Sequence, residues 1–124
     1  MTSASRKRLQ LELERKSSAV LVRLIGSAGM EDAPRLQEKL EELASPKGSL
    51  IVLDLSGLDF ISSMGLGAII AGHLKSRQRG CEIRLASPRP VVLQLLETTR
   101  LTKLFGVFPS VEEALRSPRA AEPE

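Results

Sequence analysis

The chain has 124 residues, 42% hydrophobic and 27% charged, with a formal net charge of +3. That is the make-up of one soluble globular domain with a core of its own. The charge is too mild, and three Phe without Tyr or Trp are too few, for a base-stacking nucleic-acid platform; one cysteine excludes an internal disulfide and fits a reducing cytoplasm.

Residues 1–8, ending in Arg6-Lys7-Arg8, read as a disordered basic tail. Glu12, Glu14, Arg15 and Lys16 interrupt the apolar stretch that follows, so it does not read as a signal peptide. Leu9, Leu11 and Leu13 alternate with Gln10, Glu12 and Glu14, the period of a half-buried strand. Lys16-Ser17-Ser18 is a turn and Ala19–Ile25 a second strand, close enough to make an antiparallel hairpin. Gly26–Met30 is a loop. Asp32 is the expected N-cap of a helix with Pro34 in its first turn. Leu36, Leu40 and Leu43 follow at helical spacing, and Ser45-Pro46-Lys47-Gly48 ends the helix.

Leu50–Leu55 is almost wholly apolar, as a strand covered on both faces would be. Asp54 lies near its end, Ser56-Gly57 breaks it, and Asp59 falls in the turn beyond. From Met64 the period changes: Leu66, Ile69, Ile70, His73 and Leu74 share one face of a helix predicted over Ser63–Arg79 and stopped by Gly80. Its apolar run Met64–Gly72 is too short to span a bilayer. Cys81–Ala86 is another strand, with Ile83 and Leu85 alternating with Glu82 and Arg84. Ser87 then caps a helix with Pro88 at its first position and Val91, Val92, Leu95 and Leu96 as its apolar stripe. Phe105–Phe108 is a last strand, and Ser110 with Glu113 has capping-box form, opening a helix to Arg116. Residues 117–124 read as a frayed tail, leaving one domain over 9–116. The expected fold is α/β: a mixed four- to five-stranded sheet, an N-terminal antiparallel hairpin, then parallel βα units packed by about four helices. The strand order stays open.

No enzyme chemistry is visible. His73 and Cys81 are the only residues of their kinds and fall at core positions. No His/Cys cluster has metal-ligand spacing, and Gly65-Leu66-Gly67 lacks the lysine and flanking glycines of a phosphate loop. No cofactor is expected. That leaves Ser62 and Ser63 at a helix start, where backbone N–H groups are unpaired and the dipole is positive. One hydroxyl suffices as a cap, worth about 1 kcal/mol. Gly65 in the first turn allows close backbone approach, and Asp59 caps nearby backbone or tunes the serines. A phosphate on Ser63, ahead of Ser62, would add about −1.5 to −2 charge where the helix tolerates it. A partner docked over the turn would not tolerate it, because desolvating a dianion is costly.

Val52-Leu53-Asp54-Leu55, then Phe60-Ile61, then Ser62-Ser63-Met64-Gly65-Leu66-Gly67 resemble the STAS domain family, specifically the bacterial anti-sigma factor antagonists. The layout of Val91–Leu96, Leu101–Phe108 and Val111–Leu115 extends the likeness over Leu9 to Arg116. The resemblance implies a cytoplasmic, non-enzymatic protein that works by partner switching. Unphosphorylated, it would bind an anti-sigma factor that is also a serine kinase of the histidine-kinase-like ATPase type, releasing a sigma factor. Phosphorylation at Ser63 would end that complex, and a metal-dependent serine phosphatase would restore it. Asp59, Ser62, Ser63, Met64, Gly65 and Leu66 would form the partner-binding turn, with no direct nucleic-acid contact and no membrane insertion. Met64 stands where the family has a small residue, Ser62 where many members have Asp, and Gly29 where many have an acid. The alternative is a constitutive STAS subunit of a lipid transporter or signalling scaffold, without the switch.

Overall fold

In the computed structural model, residues 8–16, 18–44 and 50–118 are described. Residues 1–7, Ser17, residues 45–49 with the expected helix end at 45–48, and residues 119–124 lie outside them.

Strands β1 (Gln10–Arg15) and β2 (Ala19–Ala28) form the expected antiparallel hairpin, Leu11 opposite Leu24 and Leu13 opposite Val22. Strands β3 (Leu50–Ile61), β4 (Glu82–Ala86) and β5 (Gly106–Phe108) add in parallel, giving one five-stranded sheet in the order β1-β2-β3-β4-β5. Helices α1 (Ala33–Leu43), α2 (Ser63–Gln78), α3 (Pro90–Thr98) and α4 (Val111–Arg116) connect or follow the strands.

Side-chain alternation sorts the strands onto two faces. Val20, Val22, Leu24, Ile51, Leu53, Leu55, Ile83 and Leu85 join the buried cluster shared with α1, α2 and α3. Ala19, Leu21, Leu50, Val52 and Ala86 form a smaller cluster under Ala114, Val111 and Leu115 of α4. The second face also carries charge. Arg23 bridges Glu12 (3.5 Å) and the buried Asp54 (3.1 Å), and the Asp54 carboxylate raises its pKa further. Arg84, which alternates with the apolar Ile83 and Leu85, is fully buried. Its guanidinium donates to the carbonyls of Ala114 (2.6 Å), Ser117 (2.8 Å) and Pro118 (2.8 Å) and to the Glu82 carboxylate (2.9 Å).

Several expected boundaries move. Ser56-Gly57 does not end β3, because a register shift between the Arg23–Asp54 and Ile25–Gly57 pairs absorbs it as a bulge, and a second shift follows between Leu58 and Phe60. The Asp54 carboxylate, in mid-strand, accepts from the Ser56 amide (3.0 Å). At Gly57 a Cβ would lie 3.3 Å from the Leu24 carbonyl oxygen, tighter than side chains normally pack. β2 likewise runs on to Ala28 instead of looping at Gly26. Asp32 precedes α1, but its carboxylate turns back to the Gly29 amide (2.9 Å) and does not cap the helix. Of the predicted α2 face, Leu66, Ile69 and His73 are buried as expected, joined by the small residues Gly65, Ala68, Gly72 and Ser76, whereas Ile70 is half-buried and Leu74 is exposed. A Cβ on Gly72 would sit 2.9 Å from Leu40 Cβ, so glycine here lets α1 and α2 approach closely. Helix α3 starts at Pro90 with Arg89 as N-cap, not at Pro88. Ser87 instead adopts a left-handed turn (φ 56°).

Candidate functional site

The turn between β3 and α2 is held by backbone and by one hydroxyl. Ile61 pairs with Ala28 in the sheet, and the next amide, Ser62, donates to the Ala28 carbonyl (2.8 Å). Ser62 is extended (φ −79°, ψ 167°), its Oγ accepts from the Gly65 amide (3.0 Å), and its carbonyl accepts the first helical bond from Leu66 (2.9 Å). It is therefore the N-cap, satisfying an amide the helix cannot. A Cβ on Gly65 would meet Ile61 Cγ1 at 2.8 Å and the Ala28 oxygen at 3.3 Å. Only glycine lets α2 begin this close to the sheet.

Ser63 occupies the first position of α2 and is exposed. Its hydroxyl makes no hydrogen bond to the described residues. Met64 beside it is 55% exposed. The two serines thus divide the work: one closes the backbone, and the other stands free at the positive end of a 16-residue helix.

The other residues singled out do not all gather here. Gly65 and Leu66 are buried, Leu66 within the main core. Asp59 lies in β3 and is exposed, but its carboxylate is paired to Arg89 at 2.9 Å, with Arg89 Nε also donating to the Ser56 carbonyl (2.7 Å). Asp59 thus ties α3 to the bulged strand and does not serve the serines. His73 and Cys81 are both buried and not bonded to each other. Neither ring nitrogen of His73 has a partner, its ring packs against Phe105 (centroids 4.6 Å apart), and Cys81 Sγ donates to the Ala44 carbonyl (3.1 Å). Burial, followed by nearby Arg77, lowers the His73 pKa, with Glu82 opposing. Among the described residues no group of His, Cys, Asp and Glu could hold a metal ion.

One feature escaped the sequence. Six large apolar side chains among the described residues are exposed, and four of them, Met30, Phe60, Met64 and Val91, sit where β2 and β3 end and α2 and α3 begin. In a parallel sheet these points share one end of the molecule, the end where such folds bind their ligands. The apolar stripes at Phe60 and Val91 read as core in one dimension, so no local signal marks them as surface.

Residues 10–114 match the STAS domain family. An anti-sigma F factor antagonist from Paenibacillus polymyxa is 29% identical over 108 residues, covering 86% of this chain and 92% of that protein. The crystal structure of an anti-sigma factor antagonist from Mycobacterium paratuberculosis has a TM-score of 0.79 at 24% identity, covering 90% of this chain and 95% of that one. Low affinity sulfate transporter 3 from Stylosanthes hamata is 29% identical over 82 residues, which are 64% of this chain and 13% of that protein. Among the described residues, no helix of this chain is long and apolar enough to cross a membrane.

Proposed function

The chain belongs to the STAS domain family, and on that premise we propose that it is an anti-sigma factor antagonist switched by phosphorylation of Ser63. The observation that carries the reading is the division between the serines: Ser62 Oγ is engaged by the Gly65 amide, while Ser63 is exposed and unengaged. A kinase can reach Ser63 without opening the helix start. In the transfer, Ser63 Oγ attacks the γ-phosphorus of ATP, the new O–P bond forms as the β–γ bridge breaks, ADP leaves, and the hydroxyl proton passes to a base on the kinase. The product dianion sits beside first-turn amides and the helix dipole, so the fold keeps its shape. A partner docked on the same neutral surface would have to desolvate that charge, and the complex dissociates.

The unmodified form then holds the anti-sigma factor and leaves the sigma factor free; a serine phosphatase returns the modified form to that state. The likeness to the Paenibacillus antagonist runs over 108 residues of this chain and that to the transporter over 82, at the same 29% identity, and the longer match supports this reading.

The test is direct. The protein is incubated with each anti-sigma factor kinase of its genome and ATP, and the phosphate is mapped by mass spectrometry. It is expected on Ser63. Ser63→Ala is expected to bind the kinase whether or not ATP is present, and Ser63→Glu to bind at least about tenfold more weakly, a difference of about 1.4 kcal/mol. Phosphate on another residue, or equal binding by Ser63→Glu, would overturn the proposal.

A further inference from the structure

A cleft of about 330 Å³ opens between the end of β3 and α3, lined by Asp59, Phe60, Ile61, Val91, Leu95 and Thr98 among others. It adjoins the Ser63 turn, because Ile61, one of its walls, leads directly into Ser62. Phe60 is 47% and Val91 61% exposed, yet neither is needed to close the core. Resting on the reading above, we propose that this cleft receives apolar anchor side chains from an amphipathic segment of the same anti-sigma factor, as a second point of contact beside the serine.

Charge argues for an uncharged occupant. Asp59, the carboxylate of the cleft, is already neutralised by Arg89 at 2.9 Å. A charged ligand therefore finds no free counter-charge, whereas an apolar side chain gains by covering Phe60 and Val91. The stretches of this sequence outside the described residues do not supply the occupant. They hold one large apolar side chain, Met1, the rest being small, polar, charged or proline. The opposite sheet face, by contrast, already has its apolar patch covered by the chain's own α4. A cleft beside the turn also explains how one small phosphate can release a whole partner. The anchors set affinity, and charge at Ser63 prevents the partner from seating over them.

The experiment titrates full-length protein against the purified anti-sigma factor kinases of its genome, without ATP. Val91→Asp and Phe60→Ser are expected to weaken binding of the cognate kinase at least tenfold. Leu74→Asp, which alters an exposed apolar residue of α2 outside the cleft, is expected to bind as wild type. Thermal melts of all three should match wild type, since the altered side chains are exposed. Binding by Val91→Asp and Phe60→Ser within twofold of wild type would overturn the proposal, as would a wild-type homodimer that Val91→Asp disperses, because a second copy would then fill the cleft. If Ser63→Glu releases the kinase while the cleft variants do not, the cleft assignment alone fails. If neither Ser63→Glu nor the cleft variants change binding, the switch reading fails with it.

Discussion

Two helix ends in this molecule are finished in opposite ways. At the C-terminal end of α4 the carbonyls of Ala114, Ser117 and Pro118 converge on the buried guanidinium of Arg84, which Glu82 balances and the Phe108 ring covers at 5.4 Å. At the N-terminal end of α2 the cap is a neutral hydroxyl, and the next residue is left exposed. The first arrangement is closed: a buried cation tolerates no loss of its acceptors. The second is open, because a neutral cap fixes the backbone while leaving the positive end of the helix uncommitted. A modification can therefore be accepted at α2 without a structural rearrangement, and not at α4.

The contrast can be broken most severely at Arg84. Arg84→Met keeps much of the stem but removes every donor to the three carbonyls, and is expected to cost about 3 kcal/mol in urea denaturation. A loss below about 1 kcal/mol would mean that apolar contacts alone hold α4 to the sheet.

His73 presents a third case, a buried polar group in mid-helix with neither ring nitrogen bonded. Its pKa is lowered from 6.5 by burial, so the unfolded chain binds a proton that the folded chain refuses. Stability from this residue is whole above about pH 6.5 and falls as pH drops from there toward the lowered folded value, by at most about 1.4 kcal/mol per pH unit. His73→Leu is expected to flatten that part of the profile when urea midpoints are compared across weakly acidic and neutral buffers. An unchanged slope would place the titration elsewhere.

The smallest effects sharpen the contrast within the open turn itself. Ser62→Ala is expected to cost about 1 kcal/mol through the lost cap, and Ser63→Ala less than about 0.5 kcal/mol, since its hydroxyl holds nothing in place. Thermal or chemical melts of the pair decide it: equal losses would erase the division of labour between the two hydroxyls.

Much of this was legible in the chain. The hairpin at Leu9–Ile25, the apolar strand from Leu50, the helix from Ser63 and the capping serine at Ser110 all follow from short-range patterns, and each is found. Ser56-Gly57 misled because glycine after serine usually ends a strand. Here β3 stays paired with β2 across a register shift, and the Asp54 carboxylate takes the freed Ser56 amide. Ser87-Pro88 misled for a related reason: a second proline two residues on, Pro90, fits the first helical position, while Ser87 turns left-handed. Leu66 falls on the apolar face of the predicted helix, and a helix beginning at Ser63 does carry it into the core, although the resemblance also assigns it to the partner-binding turn.

By itself the sequence determined the kinds of element, their order and the place where a hydroxyl meets a helix start, because hydrophobic period and capping are local properties of a few consecutive residues. The order of the strands, the burial of Arg84, the Asp59–Arg89 pair and the gathering of Met30, Phe60, Met64 and Val91 at one end were decided only by the tertiary structure. Burial and ion pairing depend on what the fold brings from 30 or more positions away, as it brings Arg89 to Asp59 and Ala114 to Arg84, and no one-dimensional period carries that information.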